Sequence, residues 1–198
     1  MRPVFWRDFL YMTDPQTYLK SKCLPEVADK NLNVVFCGMA AGKQAAQMEH
    51  HYGNPRNLFW STLLKEKFIG KPIVPTSDHK QRNSSYEQLI KHKIGLTDFI
   101  VDQCGNDDEL KLDRAAVKQA RYRLMLFIIR WQPKYLAFNG KQAAKLYLGV
   151  DKIDYGLQPG NHDIGETKLF VLPSTSPAAS RWWGKYEYHW CDLAKMIK

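Results

Sequence analysis

The 198 residues carry 29 Lys+Arg against 20 Asp+Glu, a formal charge of +9, with 44% hydrophobic and 13% aromatic side chains. That length suits one domain with a full core and excludes a multidomain reading, while the positive charge favours polyanionic partners, nucleic acid first, although a lysine excess also serves solubility alone. No run of eighteen apolar residues and no charged-then-apolar leader occurs, so the expectation is an intracellular protein, cytoplasmic and nucleoid-associated, with no membrane contact.

Residues 1–30 read as an N-terminal helical extension and residues 31–198 as a single domain. Within that domain, apolar runs at Val34–Cys37, Ile94–Phe99, Tyr135–Phe138 and Leu169–Leu172 are short and bounded by glycine, proline or charge, as buried strands are. Between them, Leu58–Phe68, Ser84–His92, Leu112–Trp131, Lys141–Leu148 and Trp183–Ile197 place apolar residues at helical spacing, and Asp113 offers a cap to the longest. Residues 149–167, with four glycines and Pro159, read as irregular loop plus a short edge strand. The alternation predicts an α/β fold: a three-layer α/β/α sandwich around a central, mostly parallel four-stranded sheet. Ligands of such sheets bind beyond the carboxyl ends of the strands.

The first strand delivers Gly38-Met39-Ala40-Ala41-Gly42, a glycine-framed turn that is the natural seat of chemistry. It is not a nucleotide P-loop, because three residues rather than four separate Gly38 from Gly42 and Lys43 is followed by Gln44. The sequence Gly42-Lys43-Gln44-Ala45-Ala46 recurs as Gly140-Lys141-Gln142-Ala143-Ala144. Either these are two similar strand-to-helix turns whose lysines face phosphate, or they are coincident alanine-rich helix starts. His50 and His51, adjacent and without metal-ligand spacing to a cysteine, read as solvated or phosphate-facing rather than metal-binding. Cys23, Cys37, Cys104 and Cys191 form no CxxC pair and no metal-like spacing with the histidines, and read as ordinary thiols.

The GMAAG strand end, an aromatic ten residues on at Tyr52, and then Asn57-Leu58-Phe59-Trp60 resemble the mismatch-specific uracil/thymine branch of the uracil-DNA glycosylase superfamily. Asn139-Gly140-Lys141-Gln142-Ala143 and the Pro-Ser loop Pro173-Ser174-Thr175-Ser176-Pro177-Ala178-Ala179-Ser180 continue the resemblance in order, over about residues 32 to 195. Scattered cysteines fit a branch without an iron-sulfur cluster.

The resemblance implies base flipping, stacking of the base on an aromatic, reading of its edge and stabilisation of the charge formed as the glycosidic bond breaks. Tyr52 matches the stacking aromatic; Gly38, Met39, Ala40, Asn57, Asn139, Ser174 and Ser176 are the further substrate-binding candidates. Backbone amides of the glycine turn are expected to receive the leaving base. Pro177 and Ala178 would enter the minor groove, with Lys43, Arg56, Lys141, Ser180 and Arg181 among the DNA-binding residues. Trp182 and Trp183 read as anchors of that loop on the core.

One departure is chemical. The resembling enzymes carry a water-positioning Asn where this chain has Ala40, and Pro where it has Ala41; alanine offers no hydrogen-bonding side chain. Asp98, after Ile94-Gly95-Leu96-Thr97, is then the catalytic candidate, as activator of water and stabiliser of an oxocarbenium-like sugar, or alternatively as reader of the base. The implied function is that of a monofunctional, monomeric hydrolase that excises uracil or a related deaminated or mismatched base from double-stranded DNA, without cofactor. A lesion-binding relative without catalysis is the competitor that Ala40 keeps in view, and a small-molecule nucleotide-binding protein fits the fold but not the Pro-Ser loop.

Overall fold

The computed structural model describes residues 23–198. The greater part of the expected helical extension, residues 1–22, lies outside the described residues. Residues 23–30 contain no helix; Val27 pairs antiparallel with Leu96.

Strand β1 (Val34–Ala41) leads to helix α1 (Lys43–Gln47), then α2 (Phe59–Lys65) and α3 (His79–Lys91). Strand β2 (Ile94–Cys104) is followed by α4 (Arg114–Trp131), β3 (Tyr135–Asn139) and α5 (Lys141–Leu148). Strands β4 (Gly156–Leu157) and β5 (Lys168–Leu172) precede a 3-10 turn over Pro177–Trp182 and the helices α6 (Trp183–Tyr186) and α7 (Tyr188–Met196). The sheet runs β2-β1-β3-β5-β4, so it has five strands rather than the expected four. The fifth is the two-residue β4, which pairs antiparallel with β5 inside the glycine-rich segment and is too short to give an alternation in sequence.

The four long strands are apolar on both faces because both are covered. Side chains alternate across β1: Val34 and Phe36 point into one core with Phe59, Leu89 and Trp190, while Val35 and Cys37 point into the other with Phe127, Leu136 and Phe138. Helices α2, α3 and α7 therefore cover one face and α4 and α5 the other, giving the three layers. Phe36 lies at the centre of the first core, edge-on to Phe59 at 5.4 Å and stacked on Trp190 at 5.3 Å.

Boundaries move where polar chemistry sets them. Helix α3 starts at His79 rather than Ser84 because Asp78 accepts from the Gln81 amide, a cap that precedes any apolar period. Asp113 likewise accepts from Ala116 N and caps α4. Helix α2 stops at Lys65, and the helix expected over Trp183–Ile197 is divided in two at Glu187. The cysteines also depart from expectation: Cys23 and Cys104 form a disulfide with Cα atoms 6.2 Å apart, while Cys37 is buried and Cys191 half-buried as free thiols. Their separation of 81 residues gives no hint in sequence that this segment crosses the end of β2.

Candidate active site

Strands β1 and β2 run on past the point where β3 leaves the ladder: β1 pairs with β3 through Cys37, but with β2 it continues through Gly38 opposite Asp98 and Ala40 opposite Ile100. The chain winds outward in opposite directions from β1, to β2 on one side and β3 on the other, which opens a crevice at their carboxyl ends. A cleft of about 940 Å³ occupies it, lined by residues including Gly38, Tyr52, Asp98, Asn139, Ser176 and Trp182. Gly38–Ala41 is thus strand rather than the expected turn, because the second strand needed to extend it is adjacent; Gly42 alone forms the turn into α1.

Asp98 sits on the floor of this cleft, 7% exposed. Burial pushes its carboxyl up to about 7, against the opposing pull of the Arg123 guanidinium. Arg123 is itself buried and donates to the Asp98 backbone carbonyl, to Thr97 Oγ1 at 3.1 Å and to the Glu26 carboxylate. Thr97 donates to the same Glu26 oxygen at 2.7 Å. Gly38 makes room for the carboxylate, since a Cβ there would collide with Asp98 Oδ1 and approach the Tyr52 hydroxyl to 3.5 Å.

Tyr52 adopts a left-handed φ of 53° and lies flat on Phe59, with ring centroids 3.7 Å apart and planes inclined by 17°. Its ring lines the cleft, and its hydroxyl is buried near Asn139 with no hydrogen bond of normal geometry; burial raises its pKa. His50 and His51, expected at the surface, are 0% and 3% exposed. Their rings pack on Tyr86 at 5.2 and 6.0 Å and their backbone is held by Trp60 Nε1, which donates to the His51 carbonyl at 3.1 Å. His51 Nδ1 lies 3.8 Å from Asp98 Oδ2.

Asn139 ends β3 and fixes the Pro-Ser loop. Its Nδ2 donates to Thr175 Oγ1 at 2.8 Å and its Oδ1 accepts from Thr175 N at 3.0 Å, so one amide side chain locks a fully buried threonine. The following Gly140 has a φ of +114°, and a Cβ there would press on Ser174 at 3.3 Å, so the strand-to-helix turn and the loop need glycine at this point. Ser174 Oγ accepts from Ser176 N at 3.2 Å, and Ser176 Oγ caps the 3-10 turn by accepting from Ala178 N. Asn57 Oδ1 accepts from Phe59 N at 3.0 Å, while Leu58 N donates to the Thr175 carbonyl at 3.0 Å, joining the start of α2 to the same loop. Met39, Ala40, Pro177 and Ala178 also line the cleft.

Basic, acidic and aromatic side chains share the mouth, where Lys141 and Trp182 line the cleft together with Asp107 and Asp108. Lys141 lies 4.2 Å over the Tyr155 ring, and Arg181 lies 5.2 Å over Trp182. Arg56 and Ser180 are exposed. Lys43 forms an ion pair with Glu109, which offsets the charge it would otherwise show to phosphate. The two tryptophans divide their roles: Trp183 packs on the core beside Trp190, whereas Trp182 is 49% exposed and lines the cleft. Trp182 is therefore not the anchor expected of it, because the 3-10 turn carries it outward before α6 begins. Among the described residues no group of three or more His, Cys, Asp or Glu side chains is placed to hold a metal ion.

Sequence reasoning missed Glu26, His51, Arg123 and Thr175. Arg123 could have been found as the one basic residue set among Tyr122, Leu124 and Phe127 on the apolar stretch of α4, since a buried guanidinium there demands a carboxylate partner. The roles of His51 and Thr175 depend on tertiary contacts that spacing does not encode.

The family model for the uracil DNA glycosylase superfamily matches residues 25–194. A solution structure of a candidate uracil DNA glycosylase from Methanosarcina acetivorans superposes with a TM-score of 0.53 at 20% identity, covering 88% of this chain and 96% of that one. At that identity the likeness concerns the fold alone. With the family match spanning both sides of the cleft, from the segment at Pro25 to α7, the chain belongs to the uracil DNA glycosylase superfamily.

Proposed function

We propose that the protein is a monofunctional DNA glycosylase that hydrolyses the N-glycosidic bond of uracil, or of a related deaminated or mismatched base, in double-stranded DNA. The observation that carries this reading is the enclosed Asp98 carboxyl on the floor of the cleft, opposite Gly38 and beside Tyr52. A carboxylate poised near neutrality is suited to accept a proton from water, and its charge stabilises the oxocarbenium-like sugar. It takes the place of the side chain that Ala40 lacks.

In this reading the flipped base lies along Tyr52, which Phe59 holds flat from behind. Asn139 commits its Oδ1 and one Nδ2 hydrogen to Thr175, which leaves one N–H to offer a base carbonyl. Its main task is to hold the Pro-Ser loop, whose Pro177, Ala178 and exposed Trp182 face the duplex, with Lys141, Ser180, Arg181 and Arg56 on phosphates. Water attacks C1′, the C1′–N bond breaks with its electron pair on the base, and the departing water proton passes to Asp98. No lysine is needed as a nucleophile. The domain of residues 31–198, with residues 23–30 packed on it, acts as a monomer in the cytoplasm, and no described helix is long and apolar enough to cross a membrane.

Ala40 favours one competing reading, a protein that binds lesions without excising them. Incubating the protein in EDTA with duplexes carrying uracil, hypoxanthine or a T:G mismatch, and scoring both retardation and free base, separates the two. The glycosylase reading expects free base from at least one duplex without added metal; selective retardation with no base released on any duplex would replace it with the lesion binder.

A further inference from the structure

His51 is buried, and all of its polar atoms but Nδ1 have hydrogen-bond partners within the protein. Its backbone amide donates to the Tyr86 hydroxyl at 2.9 Å, and its carbonyl receives Trp60 Nε1 at 3.1 Å and His50 Nδ1 at 2.9 Å. Ring atom Nε2 lies 2.8 Å from the Pro25 carbonyl. A carbonyl only accepts, so Nε2 carries the hydrogen and the neutral ring turns the lone pair of Nδ1 toward Asp98 Oδ2, 3.8 Å away. Both residues line the cleft, and an Nδ1 lone pair beside a carboxyl is favourably placed when a proton lies between them or a water bridges them.

We propose that His51 is a positioning residue for Asp98: its Nδ1 lone pair accepts the carboxyl proton, so that the two side chains hold one proton between them and Asp98 becomes the reactive carboxylate only once that proton has left. The proposal rests on the reading of Asp98 as the group that activates water. The 3.8 Å between Nδ1 and Oδ2 is longer than a hydrogen bond, so the pairing requires the carboxyl to move toward the ring. When water attacks C1′, the O–C1′ bond forms, the C1′–N pair leaves on the base and the water proton lands on Asp98; His51 Nδ1 then orients that proton away from the product until it escapes to the base or to solvent.

Every element around the pair bears on its charge. Arg123 of α4 favours the carboxylate, Glu26 offsets Arg123, and the Cys37 thiol of β1 and the hydroxyls of Tyr52 and Tyr86 stay neutral because burial or nearby charge raises them. Burial lowers the His51 ring to about 4, which leaves the shared proton on the carboxyl side.

The test is His51→Gln, whose amide nitrogen replaces Nε2 against the Pro25 carbonyl and removes Nδ1. The Asp98 carboxyl is followed by carbon NMR with aspartate labelled at Cγ, assigned by Asp98→Asn, alongside single-turnover base release across pH. Intact protein is expected to titrate near pH 7. In His51→Gln the midpoint falls by about one pH unit, and the acid limb of the rate profile falls with it while the high-pH plateau is kept. A folded His51→Gln protein whose midpoint and acid limb stay put would overturn the proposal; a role confined to packing would lower the plateau or the melting temperature without moving the limb. If the variant does not fold, nitrogen NMR of His51 in the intact protein decides. Hydrogen on Nε2 throughout, with an Nδ1 signal that shifts as Asp98 titrates, supports the pairing; hydrogen on Nδ1 overturns it. A shifting midpoint in a protein that releases no base would keep the pairing and remove the glycosylase reading.

Discussion

Asp98 is held at a cost to stability that grows with pH. A folded-state value of about 7 stands above the 3.8 of a free aspartate, so the native state binds more protons than the unfolded chain between those limits. Its contribution to stability is therefore fully present below 3.8 and is lost progressively as pH rises from there through about 7. An asparagine in its place would carry no such charge. Asp98→Asn is expected to raise the melting temperature at pH 8 by more than at pH 5, and to change it little only below the 3.8 of a free aspartate, the difference between pH 8 and pH 5 being on the order of 1–3 kcal/mol by thermal denaturation. Equal melting curves at pH 8 would mean that the carboxylate is solvated or paired in a way the described contacts do not provide. Gly38 belongs to the same arrangement: the strand runs past Asp98 only because nothing projects from Gly38 into the carboxylate.

Two elements hold the residues of the cleft in place. The first is residues 23–27, where Leu24 lines the cleft, Pro25 fixes the His51 tautomer, Glu26 binds Arg123 and Val27 bridges to Leu96. The Cys23–Cys104 bond fastens this segment to the end of β2 and closes a long loop. Reduction, or Cys23→Ser with Cys104→Ser, is expected to lower stability by about 2–5 kcal/mol in chemical denaturation. The second is the Pro-Ser loop, tied down through Asn139 and Thr175. The sheet's long strands are legible in the sequence because a strand covered on both faces must be a continuous apolar run. The extension of β1 past Gly38 is not, since glycine in a strand and glycine in a turn look alike until the neighbouring strand is known. The rule that ligands bind beyond the strand ends points to one crevice, and Asp98 and the Pro-Ser loop both line it. The burial of His51 is illegible, because two adjacent polar residues carry no periodic signal and what encloses them is Tyr86, Trp60 and Pro25.

At the scale of the whole molecule, the charge of +9 and the Lys141–Tyr155 and Arg181–Trp182 contacts suit a phosphate backbone beside unstacked bases. Trp182, half exposed at the mouth, gives this claim a sharp form. Trp182→Ala is expected to weaken DNA binding by about 1–3 kcal/mol while leaving its salt dependence unchanged, because stacking releases no counterions. Arg181→Ala should instead reduce the slope of log affinity against log salt by about 1. Titrations at several salt concentrations distinguish these; a salt slope lost with the tryptophan would place the duplex elsewhere. The most direct test of the account remains single-turnover release of uracil from a U:G duplex in EDTA, comparing the intact protein with Asp98→Ala. The account predicts release by the intact protein and a loss of about 10²- to 10⁴-fold in the variant, whereas equal release by both would contradict the role given to Asp98.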